Sequence, residues 1–213
     1  MTRRGRVLPR SFYRRDALEL APALLGKVLV RDEWGDDGSI RRCAGRIVEV
    51  EAYLGAADPG SHGYRGRTPR TATMFGPPGH LYVYFTYGMH WCANVVAAHA
   101  PGDSGAVLLR ALEPLDGLDI MQVRRPAARR VRDLCAGPAR LCQAFAITGD
   151  HDGTDLTVGA LRIVDNGTPP PAEPFTDARI GLSPGRGDDH LWRFGIPGNP
   201  HVSRLPRGDL AIP

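Results

Sequence analysis

Glu49, Glu51 and Tyr53 alternate along one short stretch, and Arg110 is a lone charge inside the apolar run 105–112. Residues 46–54 are rich in β-branched types and alternate in character with period two, which predicts a strand. On such a strand Val48, Val50, Ala52 and Leu54 face a core, and Glu49, Glu51 and Tyr53 face the other way. Two carboxylates and a phenol are costly to bury without partners. Their face is therefore either a solvated surface or the floor of a polar pocket. Arg110 carries the same cost, and Glu51 or Glu49 is its natural partner.

A second chemically unusual group follows. Residues 80–98 read as an apolar run containing Tyr82 and Tyr84, then Thr86-Tyr87-Gly88-Met89, then another apolar run. Glycine between two strand-like runs predicts a hairpin or sharp bend, with Tyr82 and Tyr84 on one face and Tyr87 near an exposed tip. An aromatic at a tip suits stacking or wedging; the alternative is ordinary core and edge packing. Between the two groups, residues 55–78 carry His62, Arg65, Arg67 and Arg70 without periodicity. A loop this long in a compact domain is more often functional than idle, and it would hang over the glutamate face.

The elements that must hold these groups are legible in order. Residues 16–25 read as a helix with Asp16 at its start, Gly26 as its stop and Pro22 able to shorten or divide it. A strand over 27–33, a turn over 34–39 and the strand 46–54 make an antiparallel meander. Further on come a strand over 105–112, helical character over 114–130 broken by Pro126, and a helix over 137–147 opened by Pro138. Short strands over 161–164 and 178–182 flank a connector over 166–174. Arg124, Arg125, Arg129, Arg130 and Arg132 form a basic face, either merely solvated or part of a polyanion-binding surface. This order predicts an α/β protein of the α+β type, with a curved, mainly antiparallel sheet flanked by helices and a protruding β-hairpin.

Length and composition set the outer bounds. With 213 residues, 42% hydrophobic, the chain suits one soluble domain over 11–213, preceded by a disordered basic arm over 1–10 with Arg3, Arg4, Arg6 and Arg10. The net charge of +4, carried by arginine with Lys27 as the sole lysine, allows a polyanionic partner. No apolar run reaches membrane-spanning length and no signal segment follows Met1, so a cytoplasmic protein is expected. Cys43, Cys92, Cys135 and Cys142 have no paired spacing and are expected as free thiols near the core. Phosphate-loop, dinucleotide, His-Glu-x-x-His and zinc-deaminase motifs are missing, so neither cofactor nor metal is expected. His99 and Ser104 echo serine-protease motifs but stand too close in sequence to form a triad from separate barrels.

The stretch Glu51-Ala-Tyr-Leu-Gly55, the loop with His62, and Tyr82-Val-Tyr-Phe-Thr-Tyr-Gly-Met89 together resemble the alkyladenine (3-methyladenine) DNA glycosylase family, also called N-methylpurine DNA glycosylases. Val107-Leu-Leu-Arg-Ala-Leu-Glu-Pro-Leu115, Cys135-Ala-Gly-Pro-Ala-Arg-Leu-Cys-Gln143 and Trp192-Arg-Phe-Gly-Ile-Pro-Gly-Asn-Pro-His-Val-Ser203 resemble further family blocks in the same order. Ala136 stands where the family pattern suggests serine. The resemblance implies a DNA repair enzyme that flips an alkylated or deaminated purine from double-stranded DNA and hydrolyses its N-glycosidic bond, leaving an abasic site. It implies that Glu51 is the base activating water, with Arg110 and the backbone of Ile180 holding that water. Tyr53 and Tyr84 resemble the rings that sandwich the base, and His62 the residue that closes the pocket and bonds the base. Asn94 matches a position that rejects guanine, and Tyr87 the side chain that enters the duplex. With Lys27 far from these motifs, a water-using monofunctional reaction is implied, by a monomer. Glu49 stays open between a competing base and a structural partner for Arg110. Two other functions stand beside this one. A non-catalytic damaged-DNA binder would use Tyr87 alone, and a glycosidase on free nucleosides or carbohydrate would pair Glu49 with Glu51, about 7 Å apart on one strand.

Overall fold

In the computed structural model, which describes residues 5–35, 37–100 and 102–207, the chain enters the sheet at once. β1 (Arg6–Val7) pairs with β8 (Leu161–Asp165), Leu8 is buried, and Arg10 in α1 (Arg10–Tyr13) pairs with Asp155. The disordered arm expected over 1–10 therefore does not extend over Arg6 to Arg10, where β1 is paired, the Leu8 N–H donates to the Ile163 carbonyl and Arg10 donates to the Pro78 carbonyl. Its first four residues lie outside the described ones, as do Asp36 of the 34–39 turn and Pro101.

α2 (Ala17–Leu24) forms where the sequence placed it. Asp16 caps it by accepting the Glu19 N–H at 2.9 Å, and Ala17, Leu20, Ala21 and Leu24 bury one face at helical spacing. Pro22 neither divides nor ends it, and Gly26 follows at φ 83°. Beyond it come β2 (Val28–Trp34) and the 14-residue β3 (Ile40–Tyr53), joined as the expected antiparallel hairpin.

The rest of the sheet grows from β3. β4 (His80–Thr86), β5 (His90–Ala97) and β6 (Gly105–Asp116) follow, then α3 (Leu118–Arg124), α4 (Pro138–Ala144), β7 (Thr154–Asp155), β9 (Phe175–Asp177) and β10 (Arg193–Gly195). The strands lie in the order β1-β8-β2-β3-β6-β5-β4-β7, with β10 pairing β3 and β9, and every pairing is antiparallel. The chain is one domain whose sheet curls around a core drawn from α2, α4 and the inner faces of β3, β5 and β6.

One irregularity positions the site. β6 runs along one edge of β3, while the other edge passes from β2, over residues 40–46, to β10, over 49–51. At that changeover Val48 has no partner between the pairs Ile47↔Leu112 and Glu49↔Ala111, and Arg110 has none between Ala111 and Leu109. Each is an extra residue in its strand, a bulge that re-aims side chains. The expected alternation is accordingly broken: Ile47, rather than Val48, joins Val50 and Ala52 in the core cluster.

Two further expectations are corrected. β6 continues through Asp116, so the helix expected over 114–130 is confined to Leu118–Arg124, and Arg124 and Arg125 of the basic face serve internal contacts. Arg124 pairs with Glu33, and Arg125 donates to the carbonyls of Asp133 and Leu134. Residues 178–182 form no strand, because Ile180 spends its N–H on the Glu51 side chain and Arg179 is drawn inward to Asp58. The four cysteines are free and buried, as expected. No helix among the described residues is long and apolar enough to cross a membrane.

Candidate active site

Glu49 and Glu51 are both fully buried, so their face is no solvated strand surface. Arg110, aimed at them by its bulge, takes both as partners: Nε lies 3.1 Å from Glu49 Oε1 and Nη1 3.1 Å from Glu51 Oε1. Burial works against its charge, but Glu51 and then Glu49 outweigh it and raise its pKa. The two carboxylates are held differently. Glu49 Oε1 accepts from Arg110 Nε, Arg193 Nη1 and Ser203 Oγ, and Oε2 from the Ser203 N–H. Glu51 Oε1 accepts from the Ile180 N–H at 2.7 Å and is ion-paired with Arg110, while among the described residues Oε2 accepts from the Tyr53 hydroxyl alone, at 2.9 Å. A carboxylate offers about four acceptor positions; four donors reach Glu49 and three groups reach Glu51, so Glu51 is the less filled of the two.

A cavity of about 220 Å³ opens against Tyr53, Arg110 and Ile180, the three partners of Glu51, which lies behind them and outside its lining; His62, Tyr84, Tyr87 and Asn94 line it too. Residues from Tyr53 to Leu182 thus meet at one place. The β4–β5 hairpin supplies the aromatic wall: Tyr82 and Tyr84 alternate on one face, their ring centres 5.6 Å apart and nearly parallel. His62, on the 55–78 loop, packs edge-on to Tyr84 at 4.4 Å, and its Nδ1 is 3.0 Å from the Tyr82 hydroxyl. Asn94, opposite Tyr82 on β5, gives its Nδ2 to the Tyr82 carbonyl, which fixes the plane of its carboxamide.

Burial decides protonation along this wall. It pushes the Tyr82 phenol up to about 12 and the Tyr84 phenol higher still. Tyr53 is raised by burial and then by neighbouring Glu51. His62 is lowered by burial and then by Arg70. Apart from Arg110, the cavity therefore presents neutral rings and hydroxyls, a surface suited to a flat, polar-edged ligand.

Tyr87 is 81% exposed at the hairpin tip, where it and Gly88 take φ of 51° and 67°. A tyrosine in the left-handed region is strained, and the tip sets it, largely exposed, at the mouth of the cavity it helps to line.

The sequence reading missed a second layer. Arg179 pairs with Asp58 and Arg193 with Glu49 and Asp177, all buried. Arg179, flanked by Ala178 and Ile180, is a charge in an apolar run, the same signal that exposed Arg110.

Comparison with known sequences comes to bear on this geometry. A family model described as methylpurine-DNA glycosylase matches residues 11–200. A relative from Burkholderia lata is 56% identical over 202 residues, covering 93% of this chain and 92% of its own. One from Streptomyces avermitilis is 48% identical, covering 92% and 90%, and one from Carboxydothermus hydrogenoformans 46%, covering 93% and 99%. All three are named as 3-methyladenine DNA glycosylases.

Proposed function

We propose a function from one premise: the chain belongs to the methylpurine-DNA glycosylase family. It is a hydrolase of N-glycosyl bonds acting on DNA in repair, and the substrate class is DNA bearing 3-methyladenine-type lesions. The finer steps are our reading. Tyr87 enters the duplex and takes the place of the damaged nucleotide, whose purine turns into the cavity between Tyr53 and Tyr84. His62, its Nδ1 held by Tyr82, closes over the base and meets its edge with the other ring nitrogen. Asn94, with its amide nitrogen committed, turns its oxygen to the base and limits which purines fit.

The observation that carries the chemistry is the unequal filling of the two carboxylates. Glu51 Oε2, with one position unfilled, takes the proton of a water as its oxygen bonds the sugar C1′. The C1′–N bond breaks with its electron pair leaving on the purine, and the carboxylate stabilises oxocarbenium character on the sugar. Arg110 and the Ile180 N–H hold Glu51 Oε1 and orient the base for that step. A lysine nucleophile is not involved, since Lys27 is buried against Asp165 at 3.0 Å, away from the cavity. The enzyme acts on one base at a time as a monomer and leaves an abasic site.

The test is single-turnover release of base from a duplex with one alkylated purine, wild type against Glu51→Gln, with binding of both measured. Release by wild type, and tight binding with a loss of about 100-fold or more in rate by the variant, is the expected result. Equal binding by both with release by neither would make the protein a damage binder.

A further inference from the structure

We propose that Arg179 is a specificity-determining residue whose buried cation, placed behind the ring of Tyr53, tilts the pocket toward neutral damaged purines relative to cationic ones. The inference rests on the proposed stacking of the base on Tyr53. Arg179 is fully buried at its side chain, and its guanidinium carbon lies 4.6 Å from the Tyr53 ring centre and 4.9 Å from that of Trp192. It does not line the cavity that Tyr53 lines, so the ring face it covers is the one turned away from the ligand.

The placement is built. The two terminal guanidinium nitrogens pair with the two oxygens of buried Asp58, Nη1 also donates to the Ala52 carbonyl at 3.0 Å, and Nη2 to that of Gly187 at 3.2 Å. A Cβ at Gly60 or Gly187 would stand 2.9 or 2.7 Å from Nη2, so both glycines leave room for the fork. Asp58 in turn accepts the N–H groups of Leu54 and Gly60, which fixes the turn after β3. Two arginine-to-carbonyl bonds and a two-point ion pair make a stronger anchor than holding a loop requires.

The consequence follows from the ring's charge distribution. An aromatic face attracts cations, but a cation already seated on one face opposes a second on the other. A purine carrying the positive charge of alkylation thus gains less from Tyr53 than a neutral purine does. Cationic lesions leave readily and need less help, so this evens rates between classes that chemistry would otherwise separate.

The experiment compares single-turnover release from duplexes holding 7-methylguanine, which is cationic, or hypoxanthine, which is neutral. The double variant Asp58→Asn with Arg179→Gln removes both buried charges together. Its cationic-to-neutral rate ratio is expected to rise about fivefold over wild type, within the range of one cation–ring contact. Arg179→Lys keeps the charge and is expected to hold the wild-type ratio even where both rates fall. Should the double variant fail to fold, Tyr53→Leu removes the ring instead and is expected to raise the ratio likewise. An unmoved ratio in the double variant, or a lowered one in Tyr53→Leu, overturns the inference while leaving the glycosylase reading intact. Wild type that releases neither base overturns the inference, and wild type that also fails to release 3-methyladenine overturns the glycosylase reading.

Discussion

Two glutamates on one strand face, two residues apart and equally buried, have been given different tasks by their neighbours. Glu49 is wired to Arg110, Arg193 and Ser203 and holds the end of β10 and the following segment against β3. Glu51 is wired to the cavity wall. This separates the two in a way that composition could not, and it argues against a paired-carboxylate glycosidase, because the second carboxylate is committed to two buried arginines and Ser203. Glu49→Gln leaves Arg193 and Arg110 buried with a weakened partner, a loss of about 3–5 kcal/mol. In a domain of this size that lowers the melting temperature by roughly 10 °C. Glu51→Gln leaves Arg110 paired with Glu49 and is expected to melt within a few degrees of wild type. Thermal unfolding of both variants beside their base-release rates checks this. A Glu49→Gln protein of wild-type stability that has lost base release would make Glu49 the catalytic carboxylate instead.

The β4–β5 hairpin shows how an element stores a cost for a task. Tyr87 at φ 51° gives up stability that glycine would not, and its ring gains no burial in return. Tyr87→Gly is therefore expected to raise stability by about 0.5–1 kcal/mol while base release from duplex DNA falls. Release from single-stranded DNA, which needs no wedge, should fall far less. Equal loss on both substrates would assign Tyr87 to the pocket and not to the duplex. This hairpin was legible because its signals are local: two apolar runs, a Gly at the turn, tyrosines at spacing two. α2 was legible for the same reason, through Asp16 and Gly26. The bulges at Val48 and Arg110 were not, because an extra residue in each of two paired strands leaves no mark in either sequence alone. They exist because β3 changes partner there, which is a property of the whole sheet. The strand expected over 178–182 failed for a related reason: its backbone answers to Glu51, and a distant side chain outweighs local propensity.

Across the molecule, charge is kept inside to an unusual degree: Lys27, Glu49, Glu51, Asp58, Arg110, Asp177, Arg179 and Arg193 are all buried, and each has an opposite partner. Such pairs rigidify a site more than they stabilise a fold, so pH should reach stability mainly through other groups. His62, His151 and His201 are all lowered by burial. In the unfolded chain they titrate near 6.5, so as pH drops below about 6.5 the unfolded state binds protons that the folded state refuses, and stability declines. Asp32 is lowered chiefly by the hydrogen bond from Arg42, and Asp165 by the Gly167 N–H. Their contribution is intact above about 3.8 and is lost as pH falls through their lowered values. Tyr13, Tyr53, Tyr82 and Tyr84 are raised by burial, so their contribution holds below about 10 and is lost as pH rises through their folded values. Burial raises the thiols of Cys43, Cys92, Cys135 and Cys142 as well, so the melting temperature should run flat between about 7 and 8.5, decline above that as the unfolded chain's thiols and then its tyrosines ionise, and fall in a first step below 6.5 and in a second below 4. His62→Gln, which removes one of the three histidines, should shallow the first step and leave the second unchanged. A first step of undiminished depth in that variant would show that His62 is as free to protonate in the folded protein as in the unfolded chain, and the neutral imidazole assigned to the pocket would have to be given up.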